Sequence, residues 1–322
     1  MIPSRETLFE LQAEHKFGAR YLEIALRLRD LLQAISQNNT LAGSLVLKGG
    51  TALNLCFGAP PRLSVDLDFN YVGALDLEDM QKDCPRQISA IERLARRAGY
   101  RIQSSAEEHA GTRLYLRYAS ALGGEGTLQV DVNFLHRIPL GSPQTLPVWN
   151  PAEDESLVIR TVSTTELVAG KMVALIDRVA ARDLYDIANL KNRRDTFALA
   201  ADARSMFIAL SGVLSLPLTR YGPDRLERVT DKEVQDTLHP LLRQEQRPSA
   251  EELRKAATQF VGPWLKLTAA EREYVERLQK GELNPELLFP QDPDMADKLR
   301  HHPALLWKAK NAQSFVRHTP PS

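Results

Sequence analysis

The chain has 322 residues, of which 43% are hydrophobic and 25% charged, a composition typical of folded globular proteins and not of disordered ones. Because 41 Lys and Arg residues balance 41 Asp and Glu residues, a nucleic-acid partner would have to bind a local basic surface. The two cysteines form no Cys-x-x-Cys pair, and neither a signal peptide nor a run of ~20 apolar residues is evident, so we expect a cytoplasmic protein without disulfides or a membrane span.

The first part of the chain mixes helical and strand patterns. Apolar residues recur at steps of three or four from Glu6 to Gln37 and again over 76–99, which predicts helices. Four other segments are short and apolar or alternate between apolar and polar residues, which predicts strands. These segments are 45–47, 62–72, 113–118 and 128–134. Between the last two, a glycine-rich stretch at 123–126 is typical of a hairpin turn.

The second part of the chain is mainly helical in pattern. The segment 139–151 is rich in Pro and Gly, which favours a connection between domains. The helical patterns that follow it are 164–181, 183–192, 196–213, 231–245, 249–262 and 268–280. The sequence therefore predicts an α/β (α+β) domain with a mixed sheet over 1–145 and a mainly helical domain over 146–322.

Three aspartates lie on the polar faces of two predicted strands. Asp66 and Asp68 are two positions apart, so their side chains project from one face, and Asp131 lies on the polar face of a later strand. If the strands pair, the three carboxylates converge, and each pair at ~4 Å repels by ~4 kcal/mol at an effective dielectric of ~20. Divalent cations such as Mg²⁺ compensate such a cluster and can bridge it to substrate phosphates. Taken singly, each aspartate is also compatible with an ordinary solvent-facing position.

A glycine turn precedes the first two aspartates. Gly49, Gly50 and Thr51 follow the strand at 45–47, and fourteen residues separate Thr51 from Asp66. Backbone N–H groups of such a turn, at the start of a helix, can face phosphates. A Gly-Gly-Thr turn alone is most often only a turn, but the order of strand, glycine turn and strand with two carboxylates is specific.

The segment LVLKGGTALNLCFGAPPRLSVDLDF (45–69) resembles the opening motif of the nucleotidyltransferase superfamily. More narrowly, it is similar to the AbiEii/AbiGii abortive-infection toxin family of nucleotidyltransferases. The resemblance continues at Lys171 within ELVAGKMVALIDR, at the R-D-x-x-D element of 182–186, and in the closing stretches 267–289 and 301–311. It therefore covers most of the chain.

The resemblance implies a nucleotidyltransferase core, with the helical domain closing an active-site cleft. It implies an enzyme that transfers a nucleotide from an NTP to the 3′ end of tRNA, releases pyrophosphate and so blocks translation. A cognate antitoxin encoded alongside is an expected partner. The donor is left open, with CTP or another pyrimidine nucleotide as a candidate.

The resemblance also implies roles for individual residues. Asp66 and Asp68 would bind Mg²⁺, in a site for two ions, and Asp131 would complete the metal site and accept the proton of the attacking hydroxyl. Lys171 would place its charge against phosphate oxygens, and Asp186, with Asp183, would orient Lys171 or the nucleotide. The residues expected to contact the nucleotide are Lys48, Gly49, Gly50, Thr51, Ser64, Lys171 and Asp183.

Other interpretations stay open at this stage. By position alone Lys171 is a solvated helix lysine, and Asp183 is equally compatible with a helix N-cap. The same chemistry could act on a small molecule or a protein hydroxyl, or the chain could be a nucleotide-binding relative without turnover. Two groups of basic residues could follow an RNA backbone, or simply be solvated helix surface. They are Arg86, Arg93, Arg96, Arg97 and Arg101, and Lys191, Arg193 and Arg194.

Overall fold

The structure is a computed structural model that describes residues 3–104, 110–152, 156–190 and 201–318. Two compact units are present. The first comprises Met1–Val162 and Gln235–Arg247, and the second comprises Ser163–Val234 and Pro248–Ser322. The predicted domains, 1–145 and 146–322, stay a prediction.

The first unit contains a seven-stranded mixed sheet. Its strands are β1 (Leu45–Lys48), β2 (Asp66–Tyr71), β3 (Arg101–Ser104), β4 (Gly111–Ala119), β5 (Glu125–Asn133), β6 (Gln144–Val148) and β7 (Leu157–Thr161). They are ordered β3-β4-β5-β2-β1-β7-β6 across the sheet. The β2–β5 and β1–β7 pairs are parallel and the others antiparallel. The predicted α/β class with a mixed sheet is confirmed.

In the described part of the first unit, four α-helices precede or follow the first strands of the sheet. They are α1 (Arg5–His15), α2 (Ala19–Ser36), α3 (Gly49–Leu55) and α4 (Leu77–Arg97). The single helix predicted over 6–37 is wrong, because Lys16 adopts the left-handed conformation (φ 62°) and ends α1. Helix α4 packs on the sheet face opposite Asp68, since Tyr71 Oη donates a 2.8 Å hydrogen bond to Asp83 of α4.

The β4–β5 hairpin is fixed from within the unit. Its turn places Gly123 and Gly124 at positive φ (97° and 77°), and Ser120 N donates to Gly124 O at 3.1 Å. Glu23 of α2 is fully buried and accepts hydrogen bonds from Ser120 Oγ at 2.6 Å and Ala121 N at 3.0 Å. These contacts fix which residue of β4 faces which residue of β5.

Two strand predictions need correction. The strand predicted over 62–72 begins only at Asp66, and 139–151 contains β6 instead of forming a connection between domains. Pro147 does not prevent this because β6 is an edge strand of the sheet, where a residue without N–H is tolerated. The strands β3 and β7 were not predicted from the sequence.

The chain returns to the first unit over 235–247. Leu63 N donates to Leu241 O at 2.9 Å, and Gln244 N donates to Lys16 O at 2.8 Å. The helix predicted over 231–245 is wrong: Asp231–Glu233, Val234–Leu238 and His239–Leu241 are short α, π and 3₁₀ turns. Pro240 lacks an N–H and cannot continue an α-helix through this segment.

The second unit is built from helices. They are α5 (Thr164–Arg178), α6 (Ala181–Leu190), α7 (Ala201–Leu210), α8 (Ala250–Trp264), α9 (Ala269–Gln279), α10 (Pro293–Arg300) and α11 (Pro303–His318). Ser249 and Thr268 form capping boxes that start α8 and α9. The predicted helical character is confirmed. Over the part of the chain that the structure describes, no helix has the length and apolar character that a membrane crossing requires.

Candidate active site

One row of charged residues crosses four neighbouring strands of the sheet. Arg113 of β4 is the register partner of Asp131 of β5, Asp131 is the partner of Asp68 of β2, and Asp68 is the partner of Lys48 of β1. Partners in register project from the same face of a sheet. The row therefore reads positive, negative, negative, positive, with the two carboxylates on neighbouring parallel strands.

Asp66 lies one step along the same face. It is two residues before Asp68 on β2, and its register partner on β5 is Gln129. All three predicted carboxylates thus share one sheet face, and each is partly exposed. The structure brings them together as the strand pattern predicted, while their catalytic roles stay predictions.

The row lines a pocket in the first unit. The pocket has a volume of about 200 Å³, and its lining includes Lys48, Asp68, Arg113, Tyr115 and Asp131. Both positive ends and both carboxylates of the row therefore reach the same open space. A phosphate group entering it would meet positive charge at either end, and a cation would meet two carboxylates at the centre.

Asp131 is bound by Arg113. Arg113 Nε lies 2.9 Å from Asp131 Oδ1, and Arg113 Nη2 lies 3.0 Å from Asp131 Oδ2. Gln129 Nε2 donates to the same Oδ2 at 3.1 Å. Hydrogen bonding to Asp131 raises the pKa of the Arg113 guanidinium, which is charged at every physiological pH. Arg113 and Lys48 thus supply the positive charge that the sequence argument assigned to metal ions alone.

The glycine turn lies directly beside Asp68. Helix α3 begins at Gly49, which has a φ of 70°, a value that favours glycine. A Cβ added at Gly49 would overlap Asp68 Oδ2 and lie 3.0 Å from Asp68 Cβ. Glycine at this position therefore allows the backbone to approach the carboxylate, while the predicted contact of its N–H groups with phosphates stays a prediction. A Cβ at Gly50 would lie 2.9 Å from Arg62 Nη2.

Thr51 and Ser64 act within the protein. Both are buried, at 0% and 1% exposure, and Thr51 Oγ1 donates to Ser64 Oγ at 2.8 Å and also to the carbonyl oxygen of Asp66. Ser64 Oγ lies 3.4 Å from Asp66 Oδ1. These hydroxyls connect α3 to the start of β2 and position Asp66. Their predicted contact with a triphosphate stays a prediction.

The donor set suits a hard divalent cation, since carboxylate oxygens on neighbouring strands are the ligands such ions prefer. Among the residues that the structure describes, no group of three acidic, His or Cys side chains is arranged to share one metal ion. The observed arrangement has Asp131 turned to Arg113, while Asp66 and Asp68 lie on one face of β2. Asp66, Asp68 and Asp131 fit a metal ion, provided that Asp131 exchanges Arg113 for the ion.

A second cluster, formed by Lys171, Arg178, Asp183 and Asp186, lies within the second unit. Lys171 Nζ is 2.7 Å from Asp183 Oδ1 and 2.6 Å from Asp186 Oδ2. The lysine side chain is 6% exposed and both carboxylates 0%, so the solvated-lysine interpretation is wrong. The predicted contact between Asp186 and Lys171 is present, while the role of either residue toward a nucleotide stays a prediction.

Asp183 is not a helix cap. It lies in the first turn of α6, after Ala181, and its carboxylate binds Lys171 and Arg178, whose Nη2 is 2.9 Å from Oδ1. Burial alone would raise the pKa of Asp183, but Lys171 and Arg178 outweigh it and keep that pKa well below its usual range. Asp183 is therefore ionised whenever the unit is folded near neutral pH.

The sequence argument missed Arg113, Gln129 and Arg178. The hairpin turn could have revealed the first two, because pairing Ala119 with Glu125 also pairs Arg113 with Asp131. Arg178 could have been found from the helical spacing, since it is seven residues after Lys171 and lies on a similar face of α5.

The basic residues of α4 are exposed, but α4 packs on the sheet face opposite the carboxylates. Arg96 is 3.5 Å from Glu92, and Arg101 of β3 forms an ion pair with Glu125. The second basic group, Lys191, Arg193 and Arg194, lies outside the described residues. The α4 group therefore adds nothing to the site on the described face of the sheet.

The mixed sheet carries aspartates on neighbouring strands beside a Gly-Gly turn, as expected for a nucleotidyltransferase fold. Residues 30–277 match the family described as nucleotidyl transferase AbiEii toxin, type IV toxin–antitoxin system. The chain therefore belongs to the AbiEii family of toxin nucleotidyltransferases.

One solved structure shows the same fold, and a second is similar over part of the chain. MenT4, a nucleotidyltransferase toxin from Mycobacterium tuberculosis H37Rv, is 21% identical with a TM-score of 0.60, over 96% of this chain and 99% of that one. JHP933 from Helicobacter pylori is 20% identical with a TM-score of 0.47, over 82% of this chain and 99% of that one. A search of curated proteins finds no match.

Proposed function

We propose that the protein transfers a nucleotide from an NTP to the 3′ end of tRNA, with release of pyrophosphate, and thereby blocks translation. Membership of the AbiEii family supports nucleotide transfer as the chemistry. The observation that carries the proposal for this chain is the charged row of Lys48, Asp68, Asp131 and Arg113 beside the Gly49 turn. It joins cation-binding carboxylates and phosphate-binding cations in one pocket.

Each charged group has a task in this proposal. Asp66 and Asp68, with Asp131, would hold Mg²⁺, which when bound offsets the negative charge of the triphosphate. Lys48 lies at one end of the row and would contact phosphate oxygens as a point charge. Lys171 is assigned the same kind of contact, oriented by Asp186. Gly49 and Gly50 would offer backbone N–H groups, and Thr51 and Ser64 position Asp66.

The transfer itself needs a proton acceptor. The acceptor hydroxyl attacks the α-phosphorus, the new P–O bond forms, and the bond to pyrophosphate breaks with its electron pair leaving on pyrophosphate. Asp131 is partly exposed in the pocket and would take the hydroxyl proton. We assign NTP binding and transfer to 1–145 and closure over the nucleotide to 146–322.

The partners in the proposal are an NTP, the tRNA acceptor end and a cognate antitoxin. Support for the antitoxin comes from the type IV toxin–antitoxin description of the family. The proposed site of action is the cytoplasm, where tRNA and NTPs are available. A pyrimidine nucleotide such as CTP is the proposed donor.

The proposal is tested by incubating the purified chain with Mg²⁺, total tRNA and each of the four labelled NTPs in turn. We expect label at the RNA 3′ end, strongest with a pyrimidine nucleotide, and a loss of about 100-fold or more in Asp66→Ala. Asp79→Ala is the matched control, because Asp79 is an exposed carboxylate on α4. It should transfer at the wild-type rate.

Other outcomes would contradict the proposal in different ways. Label found only on protein or on a small molecule would replace tRNA as the acceptor. Nucleotide binding without transfer to any acceptor would leave a binding protein. Wild-type turnover in Asp66→Ala would mean that the carboxylate face is not the active site.

A further inference from the structure

The carboxylate of Asp131 has most of its acceptor positions occupied by other protein groups. Oδ1 accepts from Arg113 Nε at 2.9 Å, and Oδ2 accepts from Arg113 Nη2 at 3.0 Å and from Gln129 Nε2 at 3.1 Å. Arg113 Nε also lies 3.2 Å from Oδ2. An ionised carboxylate offers about four lone-pair positions. Three N–H groups therefore use most of these positions, and in this state a cation could bind Asp131 only next to the charged guanidinium.

Arg113 is the donor that can leave. Its side chain is 49% exposed, whereas Asp131 is 25% exposed, and solvent screens a pair this accessible, so its partners separate at a lower cost than those of a buried pair. The arginine also lines the pocket, so phosphate oxygens in that space would offer its guanidinium an alternative bidentate partner. Gln129 would meanwhile keep its bond to Oδ2 and leave Oδ1 facing the pocket.

The charge arrangement makes the two occupants exclusive. A divalent cation shared by Asp68 and Asp131 would lie between register partners, next to the place where the guanidinium now binds Asp131. Two positive charges that use the same carboxylate oxygens repel and compete for the same lone pairs. Lys48 is on the other side of Asp68 in the row and does not occupy Asp131.

We propose that Arg113 is a positioning residue that competes with the divalent cation for Asp131, so that the third carboxylate joins the metal site only after Arg113 turns away. This inference rests on the proposed function, since it assumes that the aspartates bind metal. In the resting protein, Arg113 neutralises Asp131 and prevents the repulsion between the carboxylates of Asp68 and Asp131. Metal affinity without nucleotide is consequently lower than three carboxylates would give.

The test measures binding of Mn²⁺ to the full chain without nucleotide, by electron paramagnetic resonance of the unbound ion. Arg113→Gln should bind Mn²⁺ about fivefold to tenfold more tightly than the wild type, because the competing charge is removed. Arg113→Lys should lie between the two, since lysine keeps the charge but not the planar fork. Arg117→Gln is the matched control, an exposed arginine on the same face of β4, and should leave the affinity unchanged.

Two further variants separate the inference from the proposed function. Asp131→Asn should weaken Mn²⁺ binding in the Arg113→Gln background more than in the wild type. If Mn²⁺ binding by the wild type depends on Asp66 and Asp68 but Arg113→Gln does not bind Mn²⁺ more tightly, the proposed competition is wrong and the proposed metal site is supported. If neither the wild type nor Arg113→Gln binds Mn²⁺, both the inference and the metal part of the proposed function are wrong. Should Arg113→Gln fail to fold, the affinity of Arg113→Lys decides: no tightening over wild type overturns the competition.

Discussion

The two units each contain a group of paired aspartates and cations, but in opposite surroundings. In the first unit, Arg113 and Asp131 form an ion pair at the wall of an open pocket, with side chains 49% and 25% exposed. In the second, Lys171 lies between Asp183 and Asp186 with 6% exposure for the lysine and 0% for both carboxylates. The same pairing chemistry therefore serves two purposes.

The burial of an ion pair decides whether it can exchange partners or holds a side chain in place. An exposed pair stabilises a fold by ~0–1 kcal/mol, so its members can exchange partners when a metal or a phosphate arrives. Removing one member of a buried pair leaves an uncompensated charge without water and destabilises by ~3–5 kcal/mol. The open row is suited to binding, whereas the buried cluster fixes the position of one lysine.

The comparison is tested most strongly by matched Asp→Asn changes. Asp183→Asn should lower the free energy of unfolding of the second unit by about 3 kcal/mol, the lower end of that range because Lys171 keeps Asp186. Asp131→Asn should change stability by less than about 1 kcal/mol, because the ion pair that it removes is exposed. Urea unfolding of both variants measures the difference.

Nucleotide transfer should not follow stability in Asp131→Asn. This variant is expected to lose transfer activity while keeping its stability. If the two variants were equally destabilised, the exposed and buried clusters would not differ in the way their burial implies.

A second prediction concerns acid. The pKa of Asp183 is held below its unfolded value near 4, so its contribution to stability is fully present above that pH and is lost as the pH falls toward the folded pKa. The difference in Tm between the wild type and Asp183→Asn should therefore shrink as the pH is lowered from about 5 to about 2.5. Calorimetry at stepped pH measures it. A constant difference would mean that Asp183 is not held ionised by Lys171 and Arg178.

The sequence could predict the open site far better than the buried one. Period-two alternation placed Asp66 and Asp68 on one strand face, and the family motif supplied the glycine turn. Parallel pairing of β2 with β5 then brings Asp131 to Asp68, which the sequence could propose only as a condition. These features depend on local pattern, which a sequence displays directly.

The buried cluster depends on how two helices pack, which local pattern does not encode. Sequence position alone favoured a solvated Lys171 and allowed Asp183 to be a cap. In the structure, the turn between α5 and α6 brings Arg178 and both aspartates to the lysine, which the helical pattern does not show. The helix predicted over 231–245 is wrong for a related reason. The prediction followed the apolar spacing and gave too little weight to Pro240, which ends the helical pattern in the structure. The hydrophobic pattern of the sequence does not show tertiary contacts, and it does not show where a single residue such as proline forbids a helix.

The last prediction tests the open site through the backbone of its glycine turn. Gly49→Ala should destabilise the first unit by about 1–2 kcal/mol, because φ at this residue is 70° and alanine is strained there. Its Cβ would also push against the Asp68 carboxylate, so transfer should fall further than the loss of stability explains. Gly43→Ala is the matched control, since a Cβ there meets nothing within 4 Å, and it should leave both stability and transfer unchanged. Because no ion pair is altered in either variant, wild-type transfer in Gly49→Ala would show that the open site depends on its charges and not on the close approach of the glycine turn.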